Sequence, residues 1–276
     1  MDPRAAWQLA MPLAAAQALF FLAPLLILLA TSFSTDENLR ALSLHAWGDV
    51  LGDGFQVRAA WNTVRLGALT VGATLVLAVP LALLHLAAGP RLKRLILLAA
   101  VLPLLTSVVV RTFAWIAILG REGVINTVLL STGVSAAPVA LLQTEPGLVL
   151  ALTQIEMPLM LLPLIAAMAR IEPSLLDASQ ALGASLFRTL RRVVLPLAMP
   201  GLLAGATLVF ASAATAFISQ SVIGGGRLAY LPALVWQQAM VVFDWPLAAA
   251  MALTLMGAVL AVSAGLSALG RRASHG

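Results

Sequence analysis

The chain has 276 residues, of which 61% are hydrophobic and only 10% are charged, and its formal net charge is +5. Soluble domains carry about 25% charged residues, so this chain has too little charge to cover a water-exposed surface and must use lipid as part of its solvent. It contains no cysteine, which excludes disulfides and thiol-ligated metal sites.

Two further classes of site are not expected. His45, His85 and His275 lie far apart in the sequence and show no metal-ligand spacing. The glycines at 224–226 are not followed by Lys and Ser or Thr, so they are better interpreted as a loop than as a phosphate-binding loop. We therefore expect this chain to bind neither a metal nor ATP, and to have no enzymatic activity of its own.

Six apolar runs are each long enough to cross a hydrocarbon core about 30 Å thick, which takes about 20 helical residues. They cover approximately residues 9–31, 66–88, 95–119, 147–169, 193–219 and 247–269. The first run is longer than the apolar core of a signal peptide and lacks a clear cleavage site, so we interpret it as a span. The sequence thus predicts an all-α integral membrane protein with one transmembrane domain over residues 1–276.

The distribution of Lys and Arg predicts the orientation. Ten of the 16 basic residues flank one side of the spans: Arg4, Arg91, Lys93, Arg94, Arg170, Arg188, Arg191, Arg192, Arg271 and Arg272. On the other side basic and acidic residues are mixed, among them Asp36, Glu37, Arg40, Arg58, Arg121 and Asp244. Cytoplasmic loops carry the excess of positive charge, so both termini and the loop 170–192 are expected in the cytoplasm.

The loop 170–192, between spans four and five, carries the clearest pattern. Pro173 and Ser174 are expected to open a short helix, with Asp177 as the capping-box partner of Ser174. Gly183 is expected to end that helix, and Ser185 to cap a second one. Small and apolar residues follow helical spacing at Leu175, Ser179, Leu182 and Leu186. Such a helix pair, with apolar side chains turned away from lipid, needs a protein to dock into.

This segment resembles the cytoplasmic loop of permease subunits of binding-protein-dependent ATP-binding-cassette (ABC) importers. That family's pattern is roughly Glu-Ala-Ala, three residues, Gly, nine residues, then Ile-x-Leu-Pro. The matching positions here are Asp177-Ala178-Ser179, Gly183, Val193 and Leu195-Pro196, with mild departures at Asp177, Ser179 and Val193. The resemblance implies a coupling loop that docks on an ATPase through Asp177, Ala178, Gly183, Phe187, Arg191 and Pro196.

The resemblance also implies the partners. Two ATPase subunits would hold ATP and Mg²⁺, and a second permease subunit would complete the path. A soluble substrate-binding protein would deliver the solute from outside, and the assembly would lie in a bacterial inner membrane. No nucleic acid is implied.

A second resemblance concerns the substrate. Residues 103–133 are similar to spermidine/putrescine-type permeases, most clearly at Arg111-Thr112-Phe113-Ala114-Trp115 and Gly123-Val124-Ile125-Asn126. The segment 171–176, the glycines at 224–226 and Asp244-Trp245-Pro246 also fit, whereas Ser219-Gln220 replaces an expected Thr-Pro pair. Relatives handling ferric iron, thiamine, phosphonates or opines share parts of these motifs. The resemblance implies import of polyamines, through a second permease that is a different chain.

Glu156 is an acidic residue well inside a predicted span, where a charge costs about 2.5–3.5 kcal/mol on insertion scales. It either lines the path of a cationic substrate, forms a structural pair for which Arg111 is a candidate partner, or lies near enough to the outer interface to be hydrated. Trp115 and Trp236 either offer cation–π faces to an ammonium group or anchor span ends at the interface. The candidate substrate-path residues are Glu156, Trp115, Arg111, Trp236 and Asp244.

Two rival classes are less favoured by the sequence. A polytopic membrane enzyme needs intramembrane His, Ser/Lys or paired Asp chemistry, which is not evident. Many secondary transporters show an internal repeat with broken helices at matching positions, and none is recognisable here. Gly201 and Gly205 form a small-xxx-small pair that suits close contact between membrane helices.

Overall fold

The computed structural model describes residues 3–35 and 41–273. Within these ranges the chain is helical, apart from turns and one isolated antiparallel bridge between Ser34 and Leu42. Helices α1 to α13 are, in order, Pro3–Ser32, His45–Gly52, Gly54–Ala87, Pro90–Val101, Val108–Leu119, Val124–Ser131, Glu145–Met168, Pro173–Ala181, Leu186–Thr189, Leu195–Ala214, Phe217–Gly224, Leu231–Gln237 and Trp245–Ala273. A 3₁₀ turn lies at Leu102–Leu105, and π-helical turns lie at Leu190–Val194 and Gln238–Val242.

Six helical stretches in the described residues are long and apolar enough to cross a membrane. They are Ala15–Ser32, Gly54–Ala87, Val108–Ser131, Glu145–Met168, Phe187–Ala214 and Trp245–Gly270. The predicted fold class, an all-α membrane protein with six spans, is therefore confirmed. Asp36, Glu37 and Arg40, which entered the orientation argument, lie outside the described residues.

The third span differs from the sequence prediction. A single run was expected over 95–119, but the chain breaks between α4 and α5, and the candidate span is Val108–Ser131. Pro103 has no N–H to donate, and the helix tightens into a 3₁₀ turn around it. Thr106 then takes an extended conformation, and its hydroxyl donates to the Pro103 carbonyl at 2.8 Å. Hydropathy does not register such a break, because both sides of it are apolar.

The fifth span also ends earlier than predicted. The run 193–219 was expected to be continuous, but α10 ends at Ala214, and α11 begins at Phe217. The Nε2 amide of Gln220 donates to the carbonyls of Ala213 and Ala214, at 2.9 and 3.3 Å. A side chain thus satisfies helix-end carbonyls that lipid cannot, which makes a break tolerable in a membrane protein.

The chain divides into two compact units, which are described separately. The first combines Met1–Ala60 with Leu231–Gly257, within the described residues. In it the rings of Phe33 and Trp47 lie 5.8 Å apart, and the Trp47 Nε1 donates to the Ser32 hydroxyl at 3.3 Å. These contacts hold α2 against the end of α1.

The second unit covers the described part of Trp61–Tyr230 and Ala258–Gly276, and it contains two hydrophobic clusters centred on α7. One joins α7 to α3, α4 and α10, with Ala78, Ile96, Leu164 and Val209 among its buried members. The other surrounds Leu152. Helix α7 carries apolar residues around most of its circumference and is largely buried, as expected for the central helix of a bundle.

The contact between α7 and α10 depends on two glycines. A Cβ added at Gly201 would lie 2.4 Å from the Ala167 Cβ and 2.5 Å from the Pro163 carbonyl oxygen. A Cβ at Gly205 would lie about 3.0 Å from the backbone of Met160. The predicted small-xxx-small contact is therefore present, and α10 packs backbone against backbone on α7.

We predict that Gly201→Ala destabilises the protein by about 1–3 kcal/mol, because the new methyl group meets rigid backbone. The measurement is thermal unfolding of the purified chain in detergent. Gly72→Ala and Gly265→Ala are matched controls, since nothing lies within 4 Å of a Cβ at either position, and they should leave stability equal or slightly higher. A Gly201 variant as stable as these controls would contradict the close contact.

Candidate functional site

The loop between α7 and α10 begins with a helix cap that differs from the predicted one. Glu172 is the N-cap of α8 and Pro173 is the first helical residue, so Ser174 already lies inside the helix. Its hydroxyl donates to the Glu172 carboxylate at 3.3 Å and does not cap. The predicted capping box between Ser174 and Asp177 is therefore wrong: proline is preorganised for the first helical position, which moves the start by one residue.

The turn between α8 and α9 is closed by Gly183. Its φ is +73°, a conformation that favours glycine. The Gly183 N–H donates to the Gln180 carbonyl at 2.9 Å, and the Ala184 N–H donates to the Ser179 carbonyl at 3.1 Å. These two bonds form a Schellman motif. The Ser185 hydroxyl then accepts from the Arg188 N–H at 3.4 Å, at the start of α9.

Apolar side chains at the tip of this loop are exposed. The exposed fraction is 88% for Leu182 and 71% for Phe187, and Asp177, Ala178, Arg188 and Arg191 are also exposed. The opposite face is anchored, because Leu176 and Leu190 pack against the cluster around α7. The loop therefore presents an apolar tip flanked by charges and is fixed to the core at both ends.

A π-helical turn joins α9 to α10. The Leu195 N–H donates to the Leu190 carbonyl, five residues back. Pro196 follows and has no N–H, so the carbonyl of Arg192 cannot form the usual helical bond. The wider π-helical turn shifts the helical register at this point. Turns of this kind often mark functional sites in helices.

A second candidate site is a cavity of about 360 Å³ beside the break between α10 and α11. It is lined by Val108, Glu156, Ser212, Thr215, Ala216, Phe217, Ile218 and Ser219. Glu156 is only 5% exposed, and the Ser212 hydroxyl hydrogen-bonds to its carboxyl group. A buried carboxyl group thus faces a cavity large enough for part of a small solute.

Arg111 does not form the ion pair considered for Glu156. Its guanidinium donates to the Ile155 carbonyl at 3.1 Å, and the ion pairs found among the described residues do not include Arg111 with Glu156. The two side chains therefore form no direct ion pair among the described residues, although their charges still interact. The guanidinium donates instead to a backbone carbonyl one residue away from Glu156.

Trp115 and Thr112 are also engaged in hydrogen bonds. The Trp115 Nε1 donates to the Gln154 side chain at 3.0 Å, and the Thr112 and Ser219 hydroxyls lie 3.0 Å apart. Together with Arg111, these residues fasten α5 to α7 and α11. Ser219 and Gln220, which depart from the pattern expected in this part of the chain, are both buried and both hold helices at the break.

The remaining two candidates lie in the first unit, so they are not grouped with Glu156. Asp244 is the N-cap of α13, and its carboxylate accepts from the Leu247 N–H at 3.0 Å. This gives Asp244 a structural task that needs no substrate. Trp236 belongs to α12 and is about half exposed.

Comparison with known proteins gives the family. Residues 8–275 match the family described as "Binding-protein-dependent transport system inner membrane component". The chain belongs to this family. It is therefore a permease subunit of an ABC importer, as the loop pattern predicted.

Individual relatives agree with this assignment. The chain is 30% identical over 239 residues to the spermidine/putrescine transport system permease protein PotB of Haemophilus influenzae. The aligned residues make up 86% of this chain and 84% of that protein. It is 28% identical over 250 residues to PotB of Escherichia coli, with 88% and 91% covered. Its fold is similar to a bacterial alginate ABC transporter in complex with its pentasaccharide-bound periplasmic protein, with a TM-score of 0.79 at 18% identity, covering 98% of this chain and 96% of that one.

We predict that Trp115→Phe and Gln154→Leu each lower stability by about 1 kcal/mol, because each removes the hydrogen bond between α5 and α7. The double variant should be no less stable than either single variant. Thermal unfolding of the four proteins measures this. Fully additive losses would contradict an anchoring role for Trp115, and a loss confined to solute uptake would instead favour the cation–π role.

Proposed function

We propose that this subunit couples solute import to an ATPase through α8 and α9. The observation that carries the proposal is the exposed apolar tip at Leu182 and Phe187, on a loop whose other face packs on the core. An exposed apolar patch rimmed by charges is typical of an interaction site. ATP binding in the partner would move this tip, and the helices attached to it would reorient.

The proposed assembly has two ATPase subunits, which bind ATP with Mg²⁺ and perform the hydrolysis. A second permease, proposed to be a different chain, completes the path, and a soluble protein delivers the solute from outside. Support for such partners comes from the family and from the periplasmic protein bound to the structurally similar alginate transporter.

The proposed location is a bacterial inner membrane, with both termini and the loop 170–192 in the cytoplasm. The excess of Arg and Lys on one side supports this orientation. Because the chain has no cysteine, single cysteines at exposed Leu51 and Ser174 report on the two sides. A reagent that cannot cross the membrane should label position 51 in intact cells and spare position 174. The reverse pattern would overturn the orientation.

Gly183 gives a direct test of coupling. Gly183→Val should sharply reduce the ATPase stimulation by solute-loaded binding protein, because a β-branched residue resists φ of +73°. Gly183→Asn is the matched control, since asparagine tolerates this conformation and the space around a Cβ here is open. Both are measured in the assembled importer in liposomes. Full stimulation in the Val variant would contradict the coupling role.

We further propose that the solute is a polyamine. The names of the PotB relatives support this class, and their identity extends over most of the chain. The buried Glu156 supports it independently, because a carboxylate that lines a cavity attracts an ammonium group and makes no direct ion pair with Arg111. The path role of Glu156 is part of this proposal. Another small solute, such as ferric iron, thiamine, a phosphonate or an opine, is the alternative, and the ligand of the co-purified binding protein decides.

We predict that Glu156→Gln lowers spermidine uptake about tenfold or more, because the variant keeps the size of the side chain but loses the charge attraction, while assembly and melting temperature stay near normal. Glu156→Asp keeps the charge and should retain much of the uptake. Transport of labelled spermidine into liposomes is the measurement. Equal uptake by the Gln variant and the wild-type protein would refute the path role.

A further inference from the structure

The two short helices of the loop are joined by a hydrogen bond between side chains. The Ser179 hydroxyl on α8 and the Thr189 hydroxyl at the end of α9 lie 2.7 Å apart. Thr189 is only 7% exposed, so water competes poorly for this bond. The residues lie on opposite sides of the turn at Gly183.

The position of this bond matters because little packing braces the turn itself. Nothing lies within 4 Å of the place that a Cβ would take at Gly183, so at this point the angle between the helices is held by the two backbone bonds of the Schellman motif rather than by packing. Leu176 on one side and Leu190 on the other reach the core, but the tip between them is exposed. A displacement of the tip can therefore either open the turn or move both helices together.

We infer that the Ser179–Thr189 bond is a clamp that makes α8 and α9 move as one body. With the clamp closed, displacement of the tip passes through α9 and the π-helical turn into α10. With the clamp open, part of the displacement is absorbed as a change of angle at Gly183. Ser179 and Thr189 are thus positioning residues for coupling, and this inference rests on the coupling function proposed above.

The clamp explains one departure in the loop pattern. Ser179 stands where the related pattern has alanine. A serine inside a helix is mildly unfavourable unless its hydroxyl finds a partner, and here that partner is a side chain of the next helix.

The first test uses the assembled importer in liposomes. Ser179→Ala, Thr189→Val and the double variant should each lower the number of solute molecules moved per ATP hydrolysed by about fivefold, the effect of losing one typical hydrogen bond. Basal ATPase activity and complex assembly should not change. The double variant should be no worse than the single ones, and the exchange variant, Ser179→Thr with Thr189→Ser, should restore coupling.

Ser174→Ala is the matched control, since it makes the same change on the same helix, at a hydroxyl that bonds only within its own turn. It should leave the coupling ratio unchanged. Normal coupling in Ser179→Ala would overturn the clamp but leave the coupling function intact. Loss of assembly in Ser179→Ala, with an unaltered coupling ratio in the complexes that form, would assign the bond a purely structural role and would also overturn it. If even the wild-type importer shows no stimulation by loaded binding protein, the proposed function fails first.

A covalent version of the clamp gives a second test. Because the chain has no cysteine, Ser179→Cys with Thr189→Cys offers a single possible disulfide within it. The oxidised importer should couple like the wild-type protein, and the reduced importer should show the fivefold loss. Equally poor coupling in both states, or failure of the disulfide to form in the assembled importer, would contradict the clamp.

Discussion

The structure depends on the close packing of α10 against α7. Inside a bilayer no hydrophobic force drives helices together, because lipid tails are as apolar as leucine side chains. Association must come from van der Waals contact and hydrogen bonds, and both require backbones to approach closely. Gly201 and Gly205 provide that approach, and the largest cluster of buried side chains forms around it. Both candidate sites are built at the ends of this helix pair.

Much of the fold could be predicted from hydropathy and charge, since the six spans follow from length and apolar composition alone. The breaks at Thr106 and at Thr215 could not, because apolar residues lie on both sides of each. A break in the membrane becomes tolerable only when other groups satisfy its carbonyls, as the Gln220 side chain does for Ala213 and Ala214 from six and seven residues further along. Whether a side chain folds back onto a helix end in this way is set by local geometry, which hydropathy along one sequence does not reveal.

In the candidate sites, too, some features could be predicted from the sequence and others could not. The turn at Gly183 was visible in the sequence, because a left-handed residue between two short helices favours glycine. The contacts of Arg111 and Trp115 were not, because the spacing of residues does not show that Arg111 would donate to the Ile155 carbonyl and Trp115 to the Gln154 side chain. These bonds give both residues a structural contact between α5 and α7, and a substrate-path role for either stays a prediction. Glu156 itself lines the cavity beside the break between α10 and α11.

Helix α10 physically connects the two sites. It has 20 residues, which corresponds to about 30 Å of helix, close to the thickness of the hydrocarbon core. Its first turn follows the π-helical turn at the end of the loop 170–192, and its last turn carries Ser212 to the Glu156 cavity. Helix α10 is packed backbone to backbone on α7 around Gly201 and Gly205, while Pro200 interrupts its hydrogen-bond ladder. Under the proposed coupling, movement of the loop would reach the cavity through α10, and the break after Ala214 is where that displacement would change the shape of the cavity.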